Sequence, residues 1–291
     1  MAVLFGPSGG GKEFEESGGK SILDIPKWIK EYGLDAFEYS FGHGYQMTTE
    51  KARQAGEKFS QEGIKLSLHA PFYINFANPS EEMYQKSQGY IYTGLRFMKA
   101  MGADKLVFHP ASCGKATRKV AVELTQKRFD ETFNKMDDEG VLDGIYLCPE
   151  TMGKTMQIGT WKEVIDLCKV NKHLTPTFDF GHINALMQGC LKTEDDYKEI
   201  FDYAINALGF ERINNCHIHF SKIQYGEKGE IKHLNYDDEI YGPEFDPLAK
   251  TLIDFNLSPR VICESMSQMP RDALIMKKIY NKMLDIWVFM C

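Results

Sequence analysis

The 291-residue sequence has no run of about 18 apolar residues, the length a helix needs to cross a bilayer. It has no CxxC pair: Cys113, Cys148, Cys168, Cys190, Cys216, Cys263 and Cys291 form an odd set without short-range pairing. A disulfide framework and a cysteine-based zinc site are thereby excluded, and a reducing interior is expected. Positive charge is scarce as well, with 34 Lys and Arg against 41 Asp and Glu and a net charge of −7. Sequence-independent nucleic-acid binding rests on Lys and Arg displacing counterions, so any nucleic-acid contact must be local. No Ser/Pro-rich linker or shift in composition marks a boundary, and residues 1–291 are expected to form one domain. The opening Met-Ala-Val-Leu-Phe-Gly-Pro-Ser has neither the basic flank nor the apolar run of a signal peptide. A cytoplasmic monomer without a membrane partner is expected. The apolar residues 286–291 are expected to dock as core.

What is present is enough apolar sequence, 43% hydrophobic and 12% aromatic, to bury a large core and exclude disorder. Short apolar runs bounded by Gly, Pro and Asp alternate with segments of helical periodicity along the chain, the pattern of stacked strand and helix units. Eight strands are predicted at residues 3–6, 36–40, 66–69, 105–109, 144–150, 175–179, 215–220 and 260–264. Helices are predicted at 22–31, 49–61, 80–101, 118–138, 160–170, 194–208, 247–255 and 271–286. Eight such units imply the α/β fold of a single (β/α)8 TIM barrel. The competing fold is an open doubly wound sheet, and the two differ in whether the first and last strands pair.

From the third strand onward, the last polar residues are His69, His109, Glu150, Asp179, His217 and Glu264. All are side chains that bind zinc or manganese. In a parallel barrel the C-terminal strand ends surround one mouth, so these distant residues are predicted to meet in one pocket. His182, three residues past Asp179 with Gly181 permitting a sharp turn, and His233, in the long loop after the seventh strand, are further candidates. His219 shares the inner face with His217 by the period of two, and one of the pair is expected to stand behind the other. His43 and His173 are expected to be surface or structural. This inventory exceeds what one metal needs and suits two or three ions sharing a bridging carboxylate. Clustered ions that neutralise oxygens on both sides of a phosphorus suit phosphodiester hydrolysis.

Six ordered motifs carry a resemblance: His69-Ala-Pro-Phe-Tyr-Ile-Asn75, Phe108-His109-Pro110, Glu150-Thr151, Asp179-Phe-Gly-His182, His217-Ile-His-Phe-Ser-Lys222 and Glu264-Ser265. Over nearly its whole length the chain resembles the endonuclease IV family of abasic-site DNA repair nucleases. The resemblance implies Zn2+ ions at the barrel mouth, with Mn2+ as the alternative. His69 and His109 would ligate one ion and Glu150 would bridge two. Asp179, His217 and Glu264 would complete the second site, and His182 and His233 would hold a third ion, with His219 as an outer partner. The implied reaction is cleavage of double-stranded DNA 5′ to an abasic site, with Glu150 or Glu264 as the catalytic group that orients the nucleophile. Phe72 and Tyr73 occupy the position of the family's DNA-intercalating residues.

The sequence departs from the family pattern at two points. Residues 38–47 contain no Arg or Lys, and Ile231 stands where an Asp two residues before the ligand histidine is usual, with Glu230 as the candidate substitute. A related class, the single-metal sugar isomerases and epimerases, uses a set resembling Glu150, Asp179, His217 and Glu264 alone, and is the alternative reading. The phosphate-loop-like run Gly6 to Lys12 is followed by Glu13 where a hydroxyl is required, so nucleotide binding is not expected. The basic residues Lys115, Arg118 and Lys119 are placed after the fourth strand, either touching a phosphate backbone or simply solvated.

Overall fold

The computed structural model describes residues 2–290. Eight strands form the barrel wall: β1 (Leu4–Pro7), β2 (Ala36–Ser40), β3 (Lys65–His69), β4 (Lys105–Phe108), β5 (Tyr146–Pro149), β6 (Thr177–Asp179), β7 (His217–Phe220) and β8 (Arg260–Cys263). Strands β2 to β5 pair in parallel in chain order. Strands β6, β7, β8 and β1 do the same. Two seams join these halves. Glu150 bridges Thr177 in parallel, and Thr151 donates its N–H to the Thr177 carbonyl at 3.0 Å. At the other seam the Asp35 N–H reaches the Phe5 carbonyl at 2.8 Å. The first and last strands pair, Leu4 opposite Arg260 and Gly6 opposite Ile262, so the open sheet is excluded and the fold is the (β/α)8 barrel. Gly6 is required at the first seam, because a Cβ there would lie 1.9 Å from the Ala36 carbonyl oxygen.

Local chemistry starts the helices where the periodicity places them. The Thr48, Ser80 and Thr117 side chains accept N–H bonds from Lys51, Met83 and Val120, and Thr160 forms a capping box with Glu163. Between strand wall and helices lies an aromatic core in which Phe129 packs on Phe76 and Phe133 at 4.9 Å each. Burying each such ring contributes about 1.5–3 kcal/mol. Arg128, stacked 4.3 Å over Tyr84, donates to the Phe76 and Asn78 carbonyls. It thereby ties the loop after β3 to the helix Arg118–Asp138.

Three expectations are corrected. Asp179 leads directly into a helix, Phe180–Leu186, with no sharp turn at Gly181. The glycine serves close packing instead, since a Cβ would lie 2.5 Å from the Ser221 carbonyl oxygen. The segment after β7 is an antiparallel hairpin, Lys222–Gly226 with Gly229–Leu234, and not a loose loop. The last helix, Met269–Met290, docks through Ala273, Met276 and Tyr280 and then outruns the barrel. Ile286, Trp287 and Phe289 are consequently exposed and do not dock as core; Cys291 lies outside the described residues. Among the described cysteines all are free thiols, and only Cys190 is exposed. No helix among the described residues is long and apolar enough to cross a membrane.

Candidate metal centre

At the C-terminal mouth the strand ends enclose a cleft of about 550 Å³. His69 closes β3; His109, Glu150 and Glu264 are the first residues beyond β4, β5 and β8. Asp179 closes β6, and its carboxylate also caps the following helix, accepting the His182 N–H at 2.8 Å. That cap turns the His182 ring back toward the mouth. The hairpin after β7 brings Glu230 and His233 over the same cleft.

Among the described residues the candidate ligand atoms fall into four groups, three of them at the mouth and a fourth, Glu38, His217 and His219, below. His69, His109 and Glu150 form the first; Glu150, Asp179, His219 and Glu264 the second; His182, Glu230 and His233 the third. Glu150 belongs to two of them, and its two oxygens face opposite ways. Oε2 lies 3.2 Å from His69 Nε2 and 3.1 Å from His109 Nε2, while Oε1 lies 3.0 Å from His219 Nδ1. That is the disposition of a bridging carboxylate. In the third group His182 Nε2 and His233 Nε2 stand 3.5 and 3.9 Å from the Glu230 carboxylate.

The second ring nitrogens show which atoms remain for a cation. His69 Nδ1 donates to the Ala70 carbonyl at 2.8 Å, His182 Nδ1 to that of Thr151 at 2.9 Å, and His233 Nδ1 to that of Glu264 at 2.8 Å. A carbonyl only accepts, so each ring carries its proton at Nδ1 and presents Nε2 to the cluster. Asp179 Oδ2 is fully buried and accepts no hydrogen bond, its neighbour being the His182 ring with Nδ1 at 3.2 Å. Such an orphaned carboxylate oxygen beside two further carboxylates calls for a cation, and the donor set fits zinc or manganese.

The protonation tendencies agree. Burial penalises the charged forms throughout, yet the Glu150 carboxylate raises the His69 imidazolium to about 9 and Asp179 raises His182 to about 9. Against the penalty of burial, His219 likewise holds its proton well above the ordinary range, through Glu264, Glu38 and Glu150. Burial lifts Glu264, but the His219 charge outweighs it and brings the carboxyl to about 2. Burial dominates at Asp179 and raises it. Without a metal, the histidines thus carry the positive charge that bound cations would replace.

His217 is a correction. Its Nε2 turns away from the cluster to donate to Glu38 Oε2 at 2.8 Å, and burial lowers its pKa to about 4. His219 takes the cluster position instead. Both face inward, but β7 runs toward the mouth, and its register sets His219 level with Asp179 and His217 level with Thr177, one layer deeper. His219, expected behind His217, is thus the one of the pair that joins Glu150, Asp179 and Glu264. Glu38, in the middle of β2, carries no strand-end signal that would mark it in the sequence. The Glu230 carboxylate, one residue before Ile231, does reach His182 and His233.

Phe72 and Tyr73 project at the rim, each about half exposed, with Phe72 stacked on the His109 ring at 5.6 Å. His43, expected to be surface or structural, packs against both, its ring 6.1 and 6.4 Å from theirs. His173 is structural, bound to the Ile145 carbonyl and Asp137. Arg118 is committed to Glu163 in a two-pronged pair at 2.8 and 2.6 Å and is not free for phosphate. Lys154 and Lys232 are the cations that line the cleft itself.

Fold and site together define a (β/α)8 barrel with clustered metal-binding side chains at its C-terminal mouth. Residues 26–279 match the family described as the xylose isomerase-like TIM barrel, and the chain belongs to that family. It is similar to an uncharacterised protein of Methanocaldococcus jannaschii, 32% identical over 255 residues, which span 88% of this chain and 90% of the relative. It is also similar to the probable endonuclease 4 of Acholeplasma laidlawii, 26% identical over 212 residues, 70% of this chain and 69% of that one. The solved endonuclease IV from Thermus thermophilus shares the fold with a TM-score of 0.65 at 16% identity, covering 98% of this chain and 99% of its own. A D-tagatose 3-epimerase-like protein does so with a TM-score of 0.69 at 20% identity, covering 90% and 94%. Nucleases and sugar epimerases thus both stand among the structural neighbours.

Proposed function

We propose that the protein is a metal-dependent phosphodiester hydrolase that cleaves double-stranded DNA 5′ to abasic sites. The observation that carries this reading is the third group, His182, Glu230 and His233, added to two groups that share Glu150. A single-ion sugar enzyme needs one complete set, such as Glu150, Asp179, His219 and Glu264, and has no use for His69, His109 and the third group besides. Divalent cations, zinc or manganese, would supply the positive charge that offsets phosphoryl oxygens and the acidity that readies a water at neutral pH. His69, His109, Asp179, His182, Glu230, His233, His219 and Glu264 would hold them around the Glu150 bridge.

The chain's own groups divide the remaining work. Glu264 is the most open carboxylate of its group, with 18% of its side chain exposed against 1% for Glu150 and 0% for Asp179, and is the one placed to take a proton from an attacking water. Lys232, and Lys154 from its looser pair with Glu230 at 3.8 Å, would draw the phosphate into the cleft. Phe72 and Tyr73 offer flat apolar faces beside it, and base stacking on such faces contributes about 1–3 kcal/mol. Filling the gap of an abasic site costs little, because no base pair has to be broken there.

A specific observation favours the second reading. Glu150, Asp179, His219 and Glu264 form a complete set for one ion, with two glutamates available to move a proton beside a sugar carbonyl. Metal analysis of the purified native protein, followed by incision of a duplex with one abasic site, separates the two. Two or three ions per chain and a single nick 5′ to the lesion are expected. One ion, no nick and turnover of a ketose would replace the nuclease with the epimerase.

A further inference from the structure

Below the cluster, a carboxylate from β2 meets both histidines of β7 inside the barrel. Glu38 accepts the His217 Nε2–H at Oε2, 2.8 Å away, and its Oε1 lies 3.0 Å from His219 Nε2. All three residues are fully buried. The Glu38 Oε1–His219 Nε2 contact is a charge pair out of line for a hydrogen bond, so among the described residues neither atom has a hydrogen-bond partner, and His217 Nδ1 has none either. The other oriented histidines of the mouth are held by backbone carbonyls and present Nε2. His219 is the exception: its Nδ1 faces Glu150 Oε1 at 3.0 Å and Glu264 Oε2 at 3.4 Å, and the acceptor nearest its Nε2 is no carbonyl but the Glu38 carboxylate at 3.0 Å.

We propose that Glu38 is a positioning residue that determines which histidine of β7, and which of its nitrogens, meets the metal. With a cation on Nδ1, the His219 ring keeps its proton on Nε2, and a small rotation lets that N–H donate to Glu38 Oε1. By accepting the Nε2–H of His217 it keeps that ring a layer deeper, out of competition. A carboxylate also makes the ligand imidazole more basic than a carbonyl does, strengthening the bond to a cation among three carboxylates. The inference rests on the metal centre of the preceding section and is indifferent to whether the substrate is DNA or a sugar.

The test uses the intact chain stripped of metal and titrated with zinc, with cobalt as a spectroscopic stand-in. Glu38→Gln is expected to weaken one site by about 10- to 100-fold while the remaining ions bind as in the unaltered protein, and to change the visible cobalt spectrum. Nitrogen NMR of the zinc-loaded protein should find the His219 proton on Nε2, and a mixture of tautomers in the variant. His219→Ala should lose the same site outright, whereas His217→Ala should retain full metal content. Wild-type affinity and an unchanged cobalt spectrum in Glu38→Gln would overturn the proposal. Should that variant not fold, Glu38→Asp keeps the charge with a shorter reach; intermediate affinity is expected, and wild-type affinity would again overturn it. Failure of the nuclease reading is distinct, since an unaltered protein that binds metal but leaves abasic DNA intact does not touch these outcomes. A wild-type protein that binds no zinc at all would remove both.

Discussion

Glu150 concentrates the chemistry of the site in one side chain. Two histidines meet one of its oxygens, a third meets the other, and no neighbouring acid is placed to replace it in both groups at once. Glu150→Ala should therefore remove about two ions per chain while the group at His182, Glu230 and His233 keeps its own. Elemental analysis decides this, and full wild-type content in the variant would refute the bridge. The imidazoles lead to a second expectation. In the metal-free chain burial opposes charge on His69 and His182, but their carboxylate neighbours raise both from the ordinary 6.5 to about 9. A folded-state pKa above the unfolded one adds stability that is fully present below about pH 6.5 and lost as pH rises through about 9. The thermal midpoint of chelator-treated protein should fall across that interval, and metal-loaded protein should resist the fall because cations replace the protons. A midpoint that climbed across the same interval without metal would contradict these assignments.

At the scale of elements, the hairpin after β7 decides whether a third ion can bind. It supplies Glu230 and His233 together, and it is seated by the Glu230 N–H on the Gly153 carbonyl at 2.8 Å and a bridge between Lys154 and Gly229. Gly229 has a φ of +89°, and a Cβ on it would lie 2.0 Å from the Gly153 oxygen. Gly229→Ala must lift the hairpin, so metal content should drop by one ion while the two groups around Glu150 remain filled. Unchanged stoichiometry would show the third group to be independent of this seat. The hairpin also marks where sequence reading runs out. Alternating apolar runs located all eight wall strands, because each must bury a helix-facing side against the core. Gly226-Glu227-Lys228-Gly229 is equally a turn signal, but the flanking residues are too polar to register as strands. Strand ends led to His69, His109, Glu150, Asp179 and Glu264, since the C-terminal rim has a fixed place in any parallel barrel. The depth of His217 relative to His219 depends on register across the sheet, and the partnership of Glu38 spans 179 residues; neither leaves a local mark.

Over the whole molecule, a net charge of −7 confines any DNA contact to a local patch, which the proposed function puts at the mouth. There Lys154 and Lys232 line the cleft, Arg118 is spent on Glu163, and the loop after β2 contributes aromatic and glycine residues but no Lys or Arg before Lys51. Binding must then draw more on stacking against Phe72 and Tyr73 and on the metal centre than on counterion release. Each phosphate neutralised on a duplex contributes a slope of about −0.9 to the dependence of log affinity on log salt concentration. Two lysines predict a total of about −2, well below the slope of a protein with a basic DNA-binding face. Fluorescence anisotropy of a labelled abasic duplex with a non-hydrolysable linkage 5′ to the lesion, at several salt concentrations, measures this directly with the metal-loaded protein. A shallow slope that is no steeper on intact duplex would place recognition in the lesion and the aromatic rim. A slope of about −6 or beyond would demand roughly six or more phosphate contacts, which the mouth does not supply, and would move the DNA path onto another face or to another chain.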